Sequence, residues 1–396
     1  MRVQRNHIDL PTLISVLVLM VLSLGVVYSA SSTWALAKFG ESGKLLGSHA
    51  TKVLLGFLAI LIFMNIDYKK YRKISKPVLV GTVVLLVVTL ALGGEIKGAT
   101  RWLRFGGFGL QPSEFAKFAL IFHLCVLITE KKDRIRDFKT GFIPMMIWIG
   151  MVTTLVLLQP NFSNGAMIFV ISLVMLFIGR AKFTHIALSL SALVPLLITY
   201  MLSAEYRMQR IMNFLHGSTH ANNNANYQLW QGIIGFGNGG IFGLGPGESR
   251  QRDFFLPESY GDFVFSIIGE EYGLIGTMVI MLLFLTVMLR GMKIAKNAPD
   301  DFGRYLAIGI TASITLYALI NAGVTLGILP TTGLPMPFVS YGGSSMLFSA
   351  AAVGVLLNIS THTDLHPRLI QAPETVRPIE PTQMPGRRKG LLINER

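Results

Sequence analysis

Charge is what this chain has least of. Only 14% of its residues are charged, against about 25% in an ordinary soluble domain. Acids are scarcer still: Asp and Glu together number 21 in 396 residues. There is one cysteine, Cys125, so no intramolecular disulfide can form. Neither H-E-x-x-H nor a paired Cys/His set occurs, which leaves no sequence signature of a zinc site. The glycine-rich stretches lack the G-K-[ST] of a Walker loop. There is no G-x-S-x-G elbow, and Ser340 and Ser344 lack a His on their side of the last apolar run; His362 and His366 lie beyond its far end. Zinc, P-loop and serine-hydrolase chemistry are set aside on these absences.

Long apolar blocks are what the chain has instead. Hydrophobic residues make up 52%, and they come in uncharged runs such as 13–28, 77–94 and 186–204. A helix needs about 20 such residues to cross a bilayer, and helices satisfy their own backbone there. The runs predict an all-α polytopic membrane protein of about ten spans, near 11–30, 49–66, 77–93, 112–129, 142–158, 163–179, 186–203, 262–289, 304–328 and 338–359. Residues 1–360 read as one membrane-embedded domain, with a large loop at about 203–261 between spans seven and eight. Residues 361–396 are polar and rich in Pro, and read as a disordered tail. The first run is longer than most signal-peptide cores and reads as a retained anchor, although Tyr28-Ser29-Ala30-Ser31 has a small-residue cleavage pattern.

Basic residues collect in loops on one side: Lys69–Lys76, Lys131–Lys139, Arg290–Lys296, and both termini. The positive-inside rule makes that side the cytoplasm and puts both termini there. The net charge of +14 is then a topology signal spread over short loops, and no nucleic-acid partner is expected.

With this topology the even-numbered spans begin on the outer side, and unusual residues gather at their starts. Span four opens with Gln111-Pro112-Ser113-Glu114 and Lys117, span six after Gln159-Pro160-Asn161, span eight after Leu256-Pro257-Glu258 and Asp262, span ten with Pro335 to Ser345. Pro suits a first helical turn. Free N–H groups at four converging N-termini would form an anion-binding vestibule. Arg101 and Arg104 flank Trp102 in the preceding outer loop, where guanidinium groups could grip phosphate or anchor the interface. The long loop carries W-Q-G-I-I-G-F-G-N-G-G-I-F-G-L-G-P-G-E-S-R-Q-R, whose glycines permit close backbone approach.

Glu114 and Lys117 are three apart and share a helix face, so they can pair. Glu270 and Glu271 lie two turns inside Asp262, where an unpartnered charge is costly. They read equally as a buried network, with Lys117, Lys52 or His123 as counter-ions, or as catalytic groups. Asp262, at a helix start beside a glycine-rich loop, is the carboxylate a substrate could reach. One outward carboxylate among cations suits transfer from a lipid pyrophosphate. A base deprotonates the acceptor hydroxyl, and positive charge or a divalent cation (Mg or Mn), with Asp262 as a candidate ligand, supports the leaving group. No organic cofactor is called for.

The motifs G-A-T-R-W-L-R-F-G-G-F-G-L-Q-P-S-E-F-A-K, L-P-E-S-Y-G-D-F-V-F-S-I-I-G-E-E-Y-G-L-I-G and L-P-M-P-F-V-S-Y-G-G-S-S together resemble the SEDS family (shape, elongation, division and sporulation), which includes FtsW and RodA. The resemblance spans nearly all of residues 10–360. It implies a peptidoglycan glycosyltransferase that polymerises lipid II on the outer face of the bacterial inner membrane. It implies as ligands lipid II and an undecaprenyl-pyrophosphate-linked glycan, and as partner a single-span class B penicillin-binding transpeptidase. The family's essential aspartate falls on Asp262, its acid and lysine on Glu114 and Lys117, and the basic residue before Trp on Arg101. Glu258 and Ser340, in the same motifs, complete the substrate-binding candidates. Asn161 stands where many members have Asp and is given no catalytic role; Gly261 stands where many have Thr or Ser. The stretch G-V-L-L-N-I-S at the end of span ten and the polar tail resemble the division-specific FtsW branch, with divisome proteins as further partners. A RodA-type elongation polymerase, a lipid II flippase with Glu270, Glu271 and Lys52 lining a polar path, an ion-coupled transporter and a non-catalytic scaffold are the alternatives.

Overall fold

The computed structural model describes residues 6–96, 99–105, 108–202, 208, 224–257 and 259–365. Helices occupy all ten expected positions: α1 (Leu10–Phe39), α2 (Lys44–Asn65), α3 (Lys69–Leu92), α4 (Pro112–Lys131), α5 (Ile143–Leu158), α6 (Phe162–Ile178), α7 (Phe183–Leu202), α9 (Val264–Lys296), α10 (Asp301–Thr325) and α11 (Gly343–Ser360). An additional helix, α8 (Asn224–Gly239), lies in the long loop. Among the described residues, eight of these helices are long and apolar enough to cross a membrane; α6 and residues Phe183–Ala192 of α7 are shorter apolar helices. α4, α10 and α11 are largely buried and form the centre, while α2, α3 and most of α9 turn apolar side chains outward.

Local chemistry fixes the helix ends. Asp9 caps α1, accepting from the Thr12 N–H at 3.2 Å and the Thr12 hydroxyl at 2.6 Å. Asp300 caps α10, accepting from the Gly303 N–H at 2.7 Å while its other oxygen takes the Tyr68 hydroxyl at 2.6 Å. Small residues let the central helices close up: a Cβ on Gly354 of α11 would lie 2.8 Å from the Ile60 carbonyl of α2. The basic segments Lys69–Lys76, Lys132–Arg136 and Arg290–Lys296 lie at one end of the bundle, here the basic end; the opposite end is the rim.

Three differences from expectation have physical causes. Residues 93–110 contain a small antiparallel sheet of β1 (Gly94–Ile96), β2 (Ala99–Phe105) and β3 (Phe108–Leu110), in that order. Its register pairs Gly94 with Trp102, Leu103 with Leu110 and Phe105 with Phe108; closely spaced glycines hid the alternation. α1 runs nine residues past the expected 30, to Gly40 in left-handed conformation. Its Ser29–Ser31 stretch is buried in the bundle. The chain also stays packed a few residues past Ser360: Asn6 donates to the Thr363 carbonyl at 2.8 Å. The rest of the expected tail, 366–396, and the loop portions 203–207 and 209–223, lie outside the described residues.

Candidate active site

The starts of α4, α6, α9 and α11 meet at the rim, joined by a closed circuit of hydrogen bonds. The Gln111 N–H, at the cap of α4, donates to the Ser344 hydroxyl of α11 at 2.8 Å. The Tyr341 N–H, just before α11, donates to the Tyr260 carbonyl at 3.0 Å, in the turn leading to α9. Two residues on in that turn, the Asp262 carbonyl accepts from the Asn321 amide of α10 at 2.8 Å, and the same amide nitrogen reaches the Leu334 carbonyl at 2.7 Å. Two residues before Leu334, the Thr332 carbonyl accepts from Ser163 of α6 at 2.5 Å. Asn161, the cap of α6, donates to Ser113 of α4 at 3.2 Å and closes the circuit. The expected convergence of four helix N-termini is present.

Asp262 stands in this ring, half-buried, in the turn two residues ahead of α9. A Cβ added to Gly333, which has φ +70°, would sit 3.1 Å from its Oδ2, so the loop 326–342 passes close over the carboxylate. Gly261 provides no side-chain cap, and the α9 N-cap, Phe263, has none either.

The other sequence candidates occupy distinct places. Arg101 donates to the Pro160 carbonyl and ties β2 to the α5–α6 turn. Glu114 and Lys117 form the expected pair, at 2.8 Å, with only 1% and 3% of their side chains exposed. The Lys117 ammonium also lies 3.9 Å from the centroid of the Tyr317 ring. Asn164 of α6 donates to Glu114 at 3.2 Å and accepts from the Tyr317 hydroxyl at 2.7 Å. The pair's charge is thus met inside the bundle, between α4, α6 and α10. Ser340 is buried, and its hydroxyl accepts the Met336 N–H at 2.8 Å, closing its own loop. Glu258 lies outside the described residues.

Glu270 and Glu271 have neither Lys117, Lys52 nor His123 as counter-ion. α9 breaks at Gly273, which has φ 64° and ψ −161°. The break removes the two helical bonds that the carbonyls of Glu270 and Glu271 would accept. The glycine-rich strap replaces them: Leu244 and Gly245 N–H donate to those carbonyls at 2.9 and 3.0 Å. In exchange, Leu274 and Ile275 N–H donate to Gly240 and Ile241 carbonyls at 2.9 and 3.2 Å. These four backbone groups, freed by the break, thus all find partners, as buried backbone must. A Cβ on Gly243 would lie 2.2 Å from the Glu271 carbonyl, which is why glycine is needed in the strap. The two side chains hold the same junction. Glu270 accepts from Ser249 at 2.5 Å, the Gln251 N–H at 3.2 Å and Asn238 at 3.3 Å. Glu271 accepts from Ser29 of α1, whose oxygen also takes Arg252 at 3.2 Å. Lys52 instead lies over the Tyr341 ring, 3.5 Å from its centroid.

The sequence reading passed over Asn321, Asn164, Ser163 and Tyr317. A signal existed for the two asparagines: each sits in an apolar helix, where a carboxamide must find partners. Among the described residues no three His, Cys, Asp or Glu side chains come together as a metal cage. A single carboxylate such as that of Asp262 fits a cation held jointly by substrate phosphates and water, which is how Mg²⁺ is commonly bound.

The family of cell cycle proteins comprising FtsW, RodA and SpoVE matches residues 10–365. A protein of Geobacter metallireducens named probable peptidoglycan glycosyltransferase FtsW is 39% identical over 355 residues, 89% of this chain and 94% of that protein. Stage V sporulation protein E of Bacillus subtilis is 37% identical over 369 residues, 91% of this chain and 100% of that protein. Among solved structures, a chain from a peptidoglycan synthase complex described for coordination of polymerization and crosslinking superposes with a TM-score of 0.73, at 24% identity, over 89% of this chain and 97% of that one. The rod shape determining protein RodA of Thermus thermophilus gives a TM-score of 0.66 at 24% identity, over 89% and 96% of the two chains. At that identity the two structures speak for the fold.

Proposed function

The chain belongs to the FtsW/RodA/SpoVE family of cell cycle proteins, and from that premise we propose that it is a peptidoglycan glycosyltransferase polymerising lipid II, with Asp262 as its general base. It is a multi-pass inner-membrane protein. The rim faces outward and the basic end, with both termini, faces the cytoplasm, in keeping with the positive-inside rule. The relatives named FtsW at 39–40% identity support the division branch, hence septal synthesis.

The observation that carries this reading is the hydrogen-bonded ring that sets the Asp262 turn among four helix N-termini. The Asp262 carboxylate takes the proton from an acceptor sugar hydroxyl. The hydroxyl oxygen then forms a bond to the anomeric carbon of the lipid-linked donor as the bond to the pyrophosphate oxygen breaks, inverting that carbon. The departing lipid pyrophosphate is an anion, and the N-terminal N–H groups at the rim favour anions. A bound Mg²⁺ or Mn²⁺ would neutralise the leaving group; Asp262 is the residue placed to share it.

Glu114 and Lys117 neutralise each other in this geometry, so we assign them to holding the starts of α4 and α6 together, and Arg101 to fastening the sheet at Pro160. Ser340 shapes the loop that covers Asp262. The crosslinking partner is a single-span class B penicillin-binding transpeptidase; the structural neighbour from a peptidoglycan synthase complex supports such pairing.

The test is polymerisation of labelled lipid II by the purified chain with its transpeptidase and divalent cation. Native protein is expected to make glycan polymer and folded Asp262→Asn none. Equal product from both would refute Asp262 as the base.

A further inference from the structure

Asn321 sits in α10, one turn past Tyr317, and only 1% of it is exposed. Its amide nitrogen uses both hydrogens on main-chain carbonyls from separate parts of the rim: Asp262 at 2.8 Å and Leu334 at 2.7 Å. The first belongs to the turn that carries the carboxylate. The second belongs to the loop whose Gly333 approaches that carboxylate, a Cβ there lying 3.1 Å from Oδ2. One side chain therefore sets the spacing between the base and the loop over it.

We propose that Asn321 is a positioning residue for the glycosyl transfer, fixing Asp262 against the loop 326–342 through this double clamp. The proposal rests on Asp262 acting as the base. Asn321 does not touch the substrate. It acts by keeping the carboxylate at the height from which it reaches the acceptor hydroxyl. A leucine there fills much the same volume and leaves both carbonyls without their donor. The turn and the loop are then free to separate, and reaction rates are sensitive to such movement. A displacement near 1 Å costs on the order of 100-fold in rate.

The molecule contains its own control. Asn358, at the basic end of α11, makes the same kind of clamp: its Oδ1 accepts the Tyr68 N–H at 2.8 Å and its amide donates to the Met64 carbonyl at 2.8 Å. Asn358→Leu removes a comparable pair of buried bonds at the opposite end of the bundle from Asp262.

The experiment measures kcat and KM for lipid II polymerisation, per folded molecule, in the complete complex for native protein, Asp262→Asn, Asn321→Leu, Asn358→Leu and Gly333→Ala. Asn321→Leu is expected to lower kcat by roughly 10- to 100-fold with KM within about twofold of native. Asn358→Leu should keep kcat while losing thermal stability. Gly333→Ala changes an exposed residue between half-buried Thr332 and buried Leu334; its Cβ crowds Oδ2, and at φ +70° it also strains the loop. It should lower kcat as well, and it answers the question if Asn321→Leu fails to fold. Product from Asp262→Asn would overturn the assignment of the base and this inference with it. Loss in Asp262→Asn, with native kcat in folded Asn321→Leu or, where that does not fold, in Gly333→Ala, would overturn the clamp alone. An equal kcat loss in Asn358→Leu would also overturn it, since the effect would then be one of general packing.

Discussion

Removing Lys117 while leaving Glu114 should destabilise the bundle more than any change made at its surface. The two charges are 2.8 Å apart. At an effective dielectric of 20 their attraction is about 6 kcal/mol, and the Tyr317 ring facing the ammonium adds about 2 kcal/mol. Dehydrating each ion costs several kcal/mol, so the intact pair contributes little net stability. Lys117→Met removes the attraction but leaves the Glu114 carboxylate buried, with the Asn164 amide at 3.2 Å. The expected loss is about 3–5 kcal/mol. Adding Glu114→Gln in the same chain removes the stranded charge and should return stability close to native. Thermal unfolding in detergent, followed by a fluorescent reporter of tertiary structure, distinguishes the three proteins. Native-like unfolding of the single Lys117→Met variant would refute the reasoning, since it would mean that the carboxylate is not confined by its surroundings. Polymerisation by the double variant tests the functional assignment separately. Activity regained with stability fits a pair that holds α4 to α6; a stable, inactive double variant would show that the pair has a role at the substrate beyond holding the helices.

Two further outcomes follow from other parts of the bundle. Asp9 is fully buried beside Arg290; burial pushes its carboxyl up, but the bonds from Arg290 and Thr12 outweigh that and hold it below the usual carboxylate range. A depressed folded pKa stabilises above the unfolded value, about 3.9, and that contribution is lost as pH falls through the folded value. Acid titration of stability should show this loss, and Asp9→Asn should abolish it while lowering stability at neutral pH. Gly273→Ala would place a Cβ 2.4 Å from the Ile241 carbonyl, at φ +64°. It should cost more than about 2 kcal/mol and part the strap from α9, which limited proteolysis within residues 239–250 would detect as faster cleavage.

The sequence by itself determined the ten apolar helices and the segregation of basic residues to one end. A bilayer demands helices of a certain length, and both signals lie within contiguous residues. Three motifs, each local, likewise carried the family resemblance and Asp262. The pairing of Glu114 with Lys117 was readable because helical geometry alone brings positions three apart together. The partners of the remaining polar groups could not be read in that way. Ser29 meets Glu271 across 242 residues of sequence, and Asn321 meets Asp262 across 59. Asp262, Glu270 and Glu271 lie within ten residues of one another at the start of one helix. The fold divides them: Asp262 goes to the ring of helix N-termini, while Glu270 and Glu271 go to the break at Gly273. Period and composition report how a residue relates to water or lipid. Which distant donor it meets is decided only when packing fixes the helices against one another, because a buried carboxylate or carbonyl must be satisfied by whatever the tertiary structure brings within hydrogen-bond reach.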